Sequence, residues 1–143
     1  MASAVSCRRK TGNPNIYEYE GRAAGAANEV QPGDLVKLDS NGEIVIATTG
    51  AILGIALKAA STTDSTLIPV DVLRSGDVFS IPLNTTTAEN NRGAEAAFTF
   101  TTGAQVVTVG SGDCYIVGHD TIDAFKDGGR VLVTVKATSL TLR

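Results

Sequence analysis

The segment DLVKLDSNGEIVIA, residues 34–47, carries the clearest fold signal in the sequence. Two short apolar stretches, residues 34–38 and 43–47, flank the turn sequence Asp-Ser-Asn-Gly. Asn-Gly pairs readily adopt the positive φ angles that tight β-hairpin turns require. The segment therefore predicts a β-hairpin, and further short strands are expected in the sequence around it.

Short β-like stretches continue outward from this hairpin at close spacing. In residues 68–72, 79–83 and 131–135 every second residue is apolar, as in strands with one buried face. Sequences rich in Gly, Ser, Thr and Asp separate the stretches. The predicted strands comprise residues 34–38, 43–47, 52–57, 67–73, 77–83, 97–101, 105–109, 114–117 and 130–136. Nine strands with a turn signal about every ten residues predict an all-β sandwich or barrel rather than a βαβ fold.

Two prolines and one polar segment mark irregular places in the predicted β structure. Pro69 and Pro82 lack a backbone N–H, so we expect their strands to lie at sheet edges or to contain bulges. Residues 87–96, TAENNRGAEA, form the one candidate helix, although Gly93 disfavours helix. The predicted body is thus all-β, with any helix confined to this segment.

The first 29 residues differ from the rest of the chain in pattern and in charge. They show no sustained periodicity and mix small residues with Gly, Asn, Pro and charge, which is typical of an extended arm. Residues 1–22 hold four basic and two acidic residues, a net charge of +2, and the remainder holds −5. Residues 16–20 alternate Tyr with Glu and are expected to pair as an edge strand once a partner surface is present. We therefore divide the chain into an extended N-terminal arm, residues 1–29, and a β body, residues 30–143.

Composition limits the expected partners and location. A chain of 143 residues with 43% hydrophobic and 19% charged residues can bury an ordinary core as one domain. The net charge of −3 provides no general phosphate-binding surface, so nucleic acid is not an expected partner. The longest apolar run, AILGIAL, is far shorter than the ~20 residues that cross a bilayer, and no signal-peptide pattern opens the chain. We expect no membrane contact and synthesis in the cytoplasm.

The residues that could carry chemistry form no strong motif. His119 precedes Asp120, but no serine lies in a nucleophile-elbow sequence, so a hydrolase triad is not predicted. Nucleotide-binding glycine loops and zinc motifs are absent from the sequence. Cys7 and Cys114 lie far apart in the sequence, which does not suggest a disulfide framework, and both are expected to be reduced. The basic neighbours of Cys7 would lower its pKa if the thiol were exposed.

Four aspartates near the C-terminus raise the separate question of calcium. Asp113, Asp120, Asp123 and Asp127 lie three to seven residues apart, whereas the ligands of a calcium loop alternate closely. Asp is also common in turns because its carboxylate accepts hydrogen bonds from nearby backbone N–H groups. Structural turns are therefore predicted here, and the sequence predicts no metal, no cofactor and no enzymatic activity.

Three consecutive segments together resemble a known family of viral proteins. They are PGDLVKLDSNGEIVIATTG at residues 32–50, AILGIALKAA at 51–60 and VDVLRSGDVFSIPL at 70–83. Their order resembles the head decoration, or capsid cement, proteins of tailed bacteriophages, over about residues 23–83 and loosely in the C-terminal strands. Similar Gly-Asp hairpins occur in biotinyl and lipoyl domains, but no Lys stands at the hairpin tip here, where those domains carry their cofactor.

The resemblance implies a compact β-barrel or β-tulip body that forms a homotrimer on the outer surface of the mature virion head. The arm would contact the major capsid protein, and the protein would cement neighbouring capsid subunits against the pressure of the internal DNA without catalysis. Basic residues would face acidic capsid patches, and apolar residues would act as anchors or as an added strand. The first group comprises Arg8, Arg9, Lys10 and Arg22, and the second comprises Ile16, Tyr17 and Tyr19. Deletion of residues 1–22 should then abolish capsid binding and leave the body folded.

Two alternatives stand beside this interpretation. Basic residues near a chain terminus often have no measurable role, so the arm is equally compatible with a solvated tail. Another non-enzymatic viral adhesive, such as a fibre or receptor-binding β module, would share the all-β pattern. The absence of Trp and the presence of only three Tyr disfavour sugar binding by such a module.

Overall fold

A computed structural model of the chain describes residues 6–21, 30–59, 67–84, 91–101, 103–120 and 129–141. Within these residues the strands are β1 (Arg8–Arg9), β2 (Ile16–Glu20), β3 (Leu35–Leu38), β4 (Ile44–Ile46), β5 (Gly54–Ala56), β6 (Leu67–Val72), β7 (Val78–Pro82), β8 (Glu95–Thr99), β9 (Val106–Val109), β10 (Cys114–His119) and β11 (Arg130–Val135). A 3₁₀ turn follows at Ala137–Ser139. The predicted all-β class is confirmed, and each of the nine predicted strands lies within two residues of its expected ends.

The strands form two antiparallel sheets. The six-stranded sheet has the order β1-β7-β11-β10-β8-β9, and the five-stranded sheet has the order β2-β6-β5-β3-β4. The two end strands of the five-stranded sheet approach each other, because Gly21, next to β2, forms one parallel bridge with Ile44 of β4. This sheet is therefore strongly curved, but among the described residues no ladder closes it into a barrel.

The core has two compartments that use opposite faces of the same strands. Since successive residues of a strand point to opposite faces, Leu35 and Val36 of β3 belong to different clusters. The first cluster lies between the sheets and includes Leu35, Ile55, Phe79, Ile81, Val131 and Val133. The second is lined by the five-stranded sheet and includes Val36, Ile44, Leu53, Ala56, Ile68, Val70 and Val72.

The hairpin of β3 and β4 forms as predicted. Val36 lies opposite Ile46, and the turn glycine, Gly42, has a φ of 77°. The carboxylate of Asp39 accepts hydrogen bonds from the backbone N–H groups of Asn41 and Glu43. The turn thus combines the positive φ of Gly42 with an aspartate that satisfies two backbone donors.

Both proline-containing strands lie inside their sheets. Pro69 lies in β6, between β2 and β5, so the edge or bulge predicted for this strand is wrong. The carbonyl of Pro69 accepts the N–H of Leu57, the residue directly after β5. The hydrogen bond that an N–H at position 69 would have donated is therefore lost only at the end of the ladder between β5 and β6. Pro82 lies in β7, between β1 and β11, so the edge or bulge predicted for this strand is also wrong. Pro82 is tolerated because it lies beyond Ser80, the last residue of β7 that pairs with β1.

The candidate helix at residues 87–96 is wrong over its described part. Glu95 and Ala96 belong to β8, and Gly93 before them has a φ of 82°. Ala96 and Phe98 are buried and alternate with more exposed residues, which is the period of a strand. No helix in the described part of the chain is long and apolar enough to cross a membrane.

A buried glutamine joins the two sheets. Gln105 accepts a hydrogen bond from the N–H of Leu35 at 2.6 Å and donates to the carbonyl of the same residue at 3.2 Å. Its own backbone N–H donates to the hydroxyl of Ser6. Asp34 accepts the N–H groups of Gln31 and Gly103, while burial raises the pKa of this carboxyl above its ordinary value. The buried polar groups at this junction therefore satisfy one another.

Candidate functional site

Residues 6–21, which contain most of the predicted contact residues, lie within the two sheets. β1 pairs with β7 at the edge of the six-stranded sheet, and β2 pairs with β6 at the edge of the five-stranded sheet. Cys7, directly before β1, belongs to the first core cluster. β2 is an edge strand as predicted, and the surface with which it pairs belongs to its own chain. The arm boundary stays a prediction, since residues 1–5 and 22–29 lie outside the described part.

Arg9 is the centre of a charge cluster that joins the two sheets. Its Nε and Nη2 atoms donate to the two carboxylate oxygens of Asp71 at 2.7 Å each, which makes a bidentate pair. The Nη1 atom of Arg9 lies 3.0 Å from Oδ1 of Asp77, and Nη2 donates to Oδ2 of Asp77 at 3.1 Å. Only 9% of the Arg9 side chain and 4% of the Asp71 side chain are exposed. Arg9 therefore binds two carboxylates of its own chain.

This cluster shifts the pKa values of its members. The hydrogen bond to Asp71 raises the pKa of the Arg9 guanidinium, and the bond to Asp77 adds to it, against the opposing effect of burial. Burial acts to raise the pKa of Asp77. Hydrogen bonds from Arg9 and from the backbone N–H of Arg74 outweigh burial, so the pKa of Asp77 lies below its ordinary value. Arg9 and Asp77 are therefore charged at neutral pH.

The other two residues of the basic triplet reach the surface. Arg8 is exposed, and within the described ranges no carboxylate lies at ion-pair distance from it. The Nζ atom of Lys10 lies 3.3 Å from Oδ2 of Asp120, and 38% of the Lys10 side chain is exposed. The triplet therefore contains one cation inside the fold and two on the surface.

The side chains of β2 point to two different faces. Tyr17 and Tyr19 lie opposite buried residues of β6, and Tyr19 packs against the second core cluster. Ile16 lies on the other face. Ile16 is 51% exposed and Tyr17 is 54% exposed. Arg22, the last of the predicted contact residues, lies outside the described residues.

The outer edge of β2 has backbone groups directed away from the sheet. The carbonyl of Asn15 accepts the N–H of Val72, so the odd-numbered residues of this segment direct their backbone groups toward β6. The N–H and C=O groups of Ile16 and Glu18 therefore point away from β6. Among the described residues, only the bridge at Gly21 joins this side of the strand to another segment. The edge is of the kind to which another strand can add.

An exposed apolar strip crosses β2, β6 and the residue after β5. The register of β2 and β6 places Ile16, Leu67 and Pro69 on one face, where Glu18 lies opposite Pro69 and Glu20 opposite Leu67. The hydrogen bond from Leu57 to Pro69 places Leu57 beside Pro69 on the same face. Leu57 is 44% exposed and Leu67 is 53% exposed. We call Ile16, Leu57, Leu67 and Pro69 the apolar strip. Exposed apolar groups that share a face often mark a contact surface.

A cleft of about 580 Å³ opens beside the apolar strip. Ile16 and Leu57 belong both to the strip and to the cleft, and the buried residues Ile55 and Ala56 also line it. Its charged lining residues are Arg8, Arg9, Lys10 and Asp71. The volume lies in the range of ordinary ligand sites, and the lining combines apolar side chains with cations.

Both cysteines are free thiols, and the structure buries both of them. Burial raises the pKa of Cys7 well above its ordinary value, although the charge of Arg130 opposes this shift. Burial is also the main cause that raises the pKa of Cys114 to about 12. Cys7 is therefore not a thiolate at neutral pH, despite its basic neighbours in the sequence.

His119 and the aspartates considered for calcium make structural contacts. Nδ1 of His119 accepts a hydrogen bond of 3.4 Å from Arg92, and Asp113 accepts one from the serine of the 3₁₀ turn. Asp123 and Asp127 lie outside the described residues. In the part of the chain that the structure describes, no three His, Cys, Asp or Glu side chains gather as metal ligands would.

The sequence pattern does not reveal the carboxylates that hold Arg9. The available signal is Asp71 in LIPVDV, where it is the one charged residue of a strand that otherwise reads as apolar. A charge in such a position requires a partner of opposite sign. This requirement indicates that Asp71 has a basic partner, but it does not identify Arg9, which precedes Asp71 by 62 positions.

Comparisons with known proteins do not assign the chain to a family. No family model matches its sequence, and no curated protein matches it. What the chain does is therefore proposed from its strands, its exposed surface and the sequence resemblance described above.

Proposed function

We propose that this protein is a structural component of a virion that binds the outer surface of a tailed-phage head and cements neighbouring major capsid protein subunits. The observation that carries the proposal is the apolar strip beside the open edge of β2. A cement protein requires a surface that binds its neighbours and a body that resists deformation under load. The sequence resemblance over residues 23–83 supplies the capsid as the partner.

The binding energy of the strip suits attachment through several copies. Burying the exposed halves of its three large aliphatic side chains would contribute roughly 3 kcal/mol. This is weak binding for a single copy. A homotrimer, which is part of the proposal, would present three strips at once and could multiply the overall affinity by ~10² to 10⁴. Attachment would then be firm although each contact is weak.

The internal contacts of β1 and β2 support the mechanical part of the proposal. A load applied to β2 passes to β6 through five residue pairs and to the other sheet through Arg9 and Asp71. In this account Arg9 and Tyr19 serve the fold. Arg8, Lys10 and Ile16 face the capsid, together with Leu57 and Leu67 of the strip, whereas Tyr17 lies on the opposite face of β2. The N-terminal strands are thus the fixed base of the contact surface.

Co-sedimentation with phage heads tests the proposal. Purified protein is mixed with expanded heads that lack their decoration protein, and the bound copies are counted against the major capsid protein. Saturable binding, together with increased resistance of the heads to heating, is the expected result. Absence of binding would contradict the proposal. Sedimentation equilibrium of the free protein tests the homotrimer separately.

A further inference from the structure

The apolar strip lies on the face of the five-stranded sheet that carries the first core cluster. Asp71 of β6 lies opposite Ile16 on one side and opposite Ile55 on the other, so these three residues share that face. Ile55 belongs to the cluster and is 2% exposed, whereas Leu57, two residues further along, is 44% exposed. The strip is therefore the part of a core-forming face that the described part of the chain leaves uncovered.

Two glutamates border the strip on its outer strand. Glu18 lies opposite Pro69 and Glu20 lies opposite Leu67, on the same face of β2 as the strip. Both glutamates are exposed, and within the described ranges no Lys or Arg lies at ion-pair distance from either. Two uncompensated carboxylates beside an apolar surface favour an occupant that is cationic as well as apolar.

The cations of the neighbouring cleft do not reverse this preference. Arg9 and Lys10 are each paired with carboxylates of their own chain. Arg8 lies opposite Ser80, and its side chain is directed to the other face of β1 from that of Arg9. The two glutamates therefore determine the charge beside the strip.

The open backbone of β2 favours an extended occupant. The N–H and C=O groups of Ile16 and Glu18 point away from β6, and a strand that added there would continue the antiparallel sheet. Its side chains opposite Ile16 and Glu18 would lie on the same face as the strip. A second copy of β2 fits poorly, because two such edges would gather four glutamates on one face, and neither β2 nor β6 contains Lys or Arg.

We propose that the open edge of β2 binds an extended cationic segment of a partner protein by strand addition. A Lys or Arg of the segment lies opposite Glu18 and within reach of Glu20, since alternate residues of a strand are only about 7 Å apart. Its aliphatic stem covers Pro69 and Leu67, and an apolar side chain two residues further along packs beside Ile16 at the cleft. The chemistry of this occupant does not rest on the proposed function; only its identity as a segment of the major capsid protein does.

Peptide titration of the full-length chain tests the charge preference. The probe is a capped peptide of sequence Ser-Lys-Thr-Lys-Val-Leu-Ser, which places its second Lys opposite Glu18 and its Leu opposite Ile16 in an antiparallel pair. The control peptide has Glu in place of each Lys. The cationic peptide should shift the amide NMR signals of Ile16 and Glu18, and the acidic peptide should leave them unchanged. An equal response to both peptides, or no response to the cationic one, would overturn the inference.

N-methylation of the peptide separates strand addition from general charge attraction. In the proposed register the backbone N–H of the second Lys donates to the carbonyl of Glu18, so N-methylation of this Lys should weaken binding by about tenfold. The N–H of the following Val points away from β2, and its N-methylation is the matched control, which should change the affinity by less than about twofold. Equal losses from the two modifications would show that the peptide does not add as a strand.

Paired charge variants test the two glutamates. Glu18→Gln combined with Glu20→Gln should weaken binding of the cationic peptide by about tenfold, because two ion pairs are lost. Thr99→Lys combined with Thr108→Lys makes the same change of net charge at exposed positions of the other sheet, and it should change the affinity by less than about twofold. Equal effects of the two double variants contradict the inference. Amide signals of Ile16 and Glu18 that shift on dilution without peptide also contradict it, because they identify a second copy as the occupant.

Phage heads separate this inference from the proposed function. Binding to heads that the two Gln substitutions weaken supports both. Binding to heads without any distinction between the cationic and acidic peptides contradicts the inference alone. Binding of the cationic peptide without binding to heads contradicts the proposed function alone.

Discussion

Arg9 and Asp71 form a bidentate ion pair of 2.7 Å that connects an edge strand of one sheet to an inner strand of the other. The carboxylate is nearly inaccessible to solvent and requires a cation, which Arg9 supplies from the N-terminal segment. The same contact keeps this guanidinium away from the surface. Arg8 and Ile16 on either side of the pair are therefore presented to the outside from a fixed base.

Replacing Arg9 with Ala should strongly destabilise the fold. The substitution leaves the buried carboxylate of Asp71 without its cation, and the loss of one partner of a buried pair costs about 3 kcal/mol. Urea unfolding followed by circular dichroism measures the change. Arg8→Ala, the neighbouring exposed residue, is the matched control and should stay within about 0.5 kcal/mol of the unaltered protein. Equal stability of the two variants would show that the pair does not hold the sheets together.

Acid should weaken the contact between Arg9 and Asp77. The folded-state pKa of Asp77 lies below its ordinary value of 3.8, so the unfolded chain binds the proton more readily. The contribution of Asp77 is present above that ordinary value and is lost as the pH falls through the folded-state pKa. The free energies of unfolding of the unaltered protein and of Asp77→Asn should therefore converge as the solution is acidified. The raised pKa of Asp34 acts in the opposite direction, but it is common to both proteins; parallel pH profiles would contradict the assignment.

The positions of the strands could be predicted from the sequence, whereas the pairing of the strands within the sheets could not. Apolar alternation and turn residues are local signals, and they locate nine strands to within two residues. The partition into two sheets and the inner position of Pro69 depend on contacts between distant segments. For the site, the sequence identifies Ile16 and Tyr17 as exposed apolar residues of an edge strand. It does not separate Arg9 from Arg8, because the difference arises from carboxylates 62 and 68 positions away.

Gly54 of β5 should not tolerate a side chain. A Cβ atom at this position would overlap the backbone carbonyl of Asp71 in the neighbouring strand. Gly54→Ala should therefore force β5 and β6 apart and destabilise the protein by roughly 3 kcal/mol. Gly118→Ala is the control, since a Cβ there would meet only Leu132, at an ordinary distance of 3.8 Å. Similar urea midpoints for the two variants would contradict the predicted overlap.

Deletion of residues 1–21 should impair folding as well as binding. It removes β1 and β2, exposes the edge of β6 and leaves Asp71 without a cation. We expect loss of the cooperative urea transition, in contrast to the folded body that the sequence alone predicts. Deletion of residues 1–5 is the control because it retains both strands. A truncated protein that unfolds like the full chain would show that these strands are dispensable.

The apolar strip should be required for attachment and not for folding. Replacing Leu57 and Leu67 together with Ser removes about two-thirds of the exposed surface of its three large aliphatic side chains. Binding of each copy to heads should therefore fall by about thirtyfold. Val117→Ser is the control, since Val117 is 48% exposed on a strand of the other sheet. Binding isotherms on heads, with urea unfolding as a check of stability, measure both effects. Equal binding by the two variants would exclude the strip as the contact surface.

We propose above that this chain occupies the decoration position on a phage head. The most direct measurement is co-sedimentation with heads stripped of their decoration protein, in parallel with heads that still carry it. We expect saturable binding to the stripped heads, at a fixed ratio to the major capsid protein, and no binding to the decorated heads. Equal binding to both, or binding to neither, would contradict it.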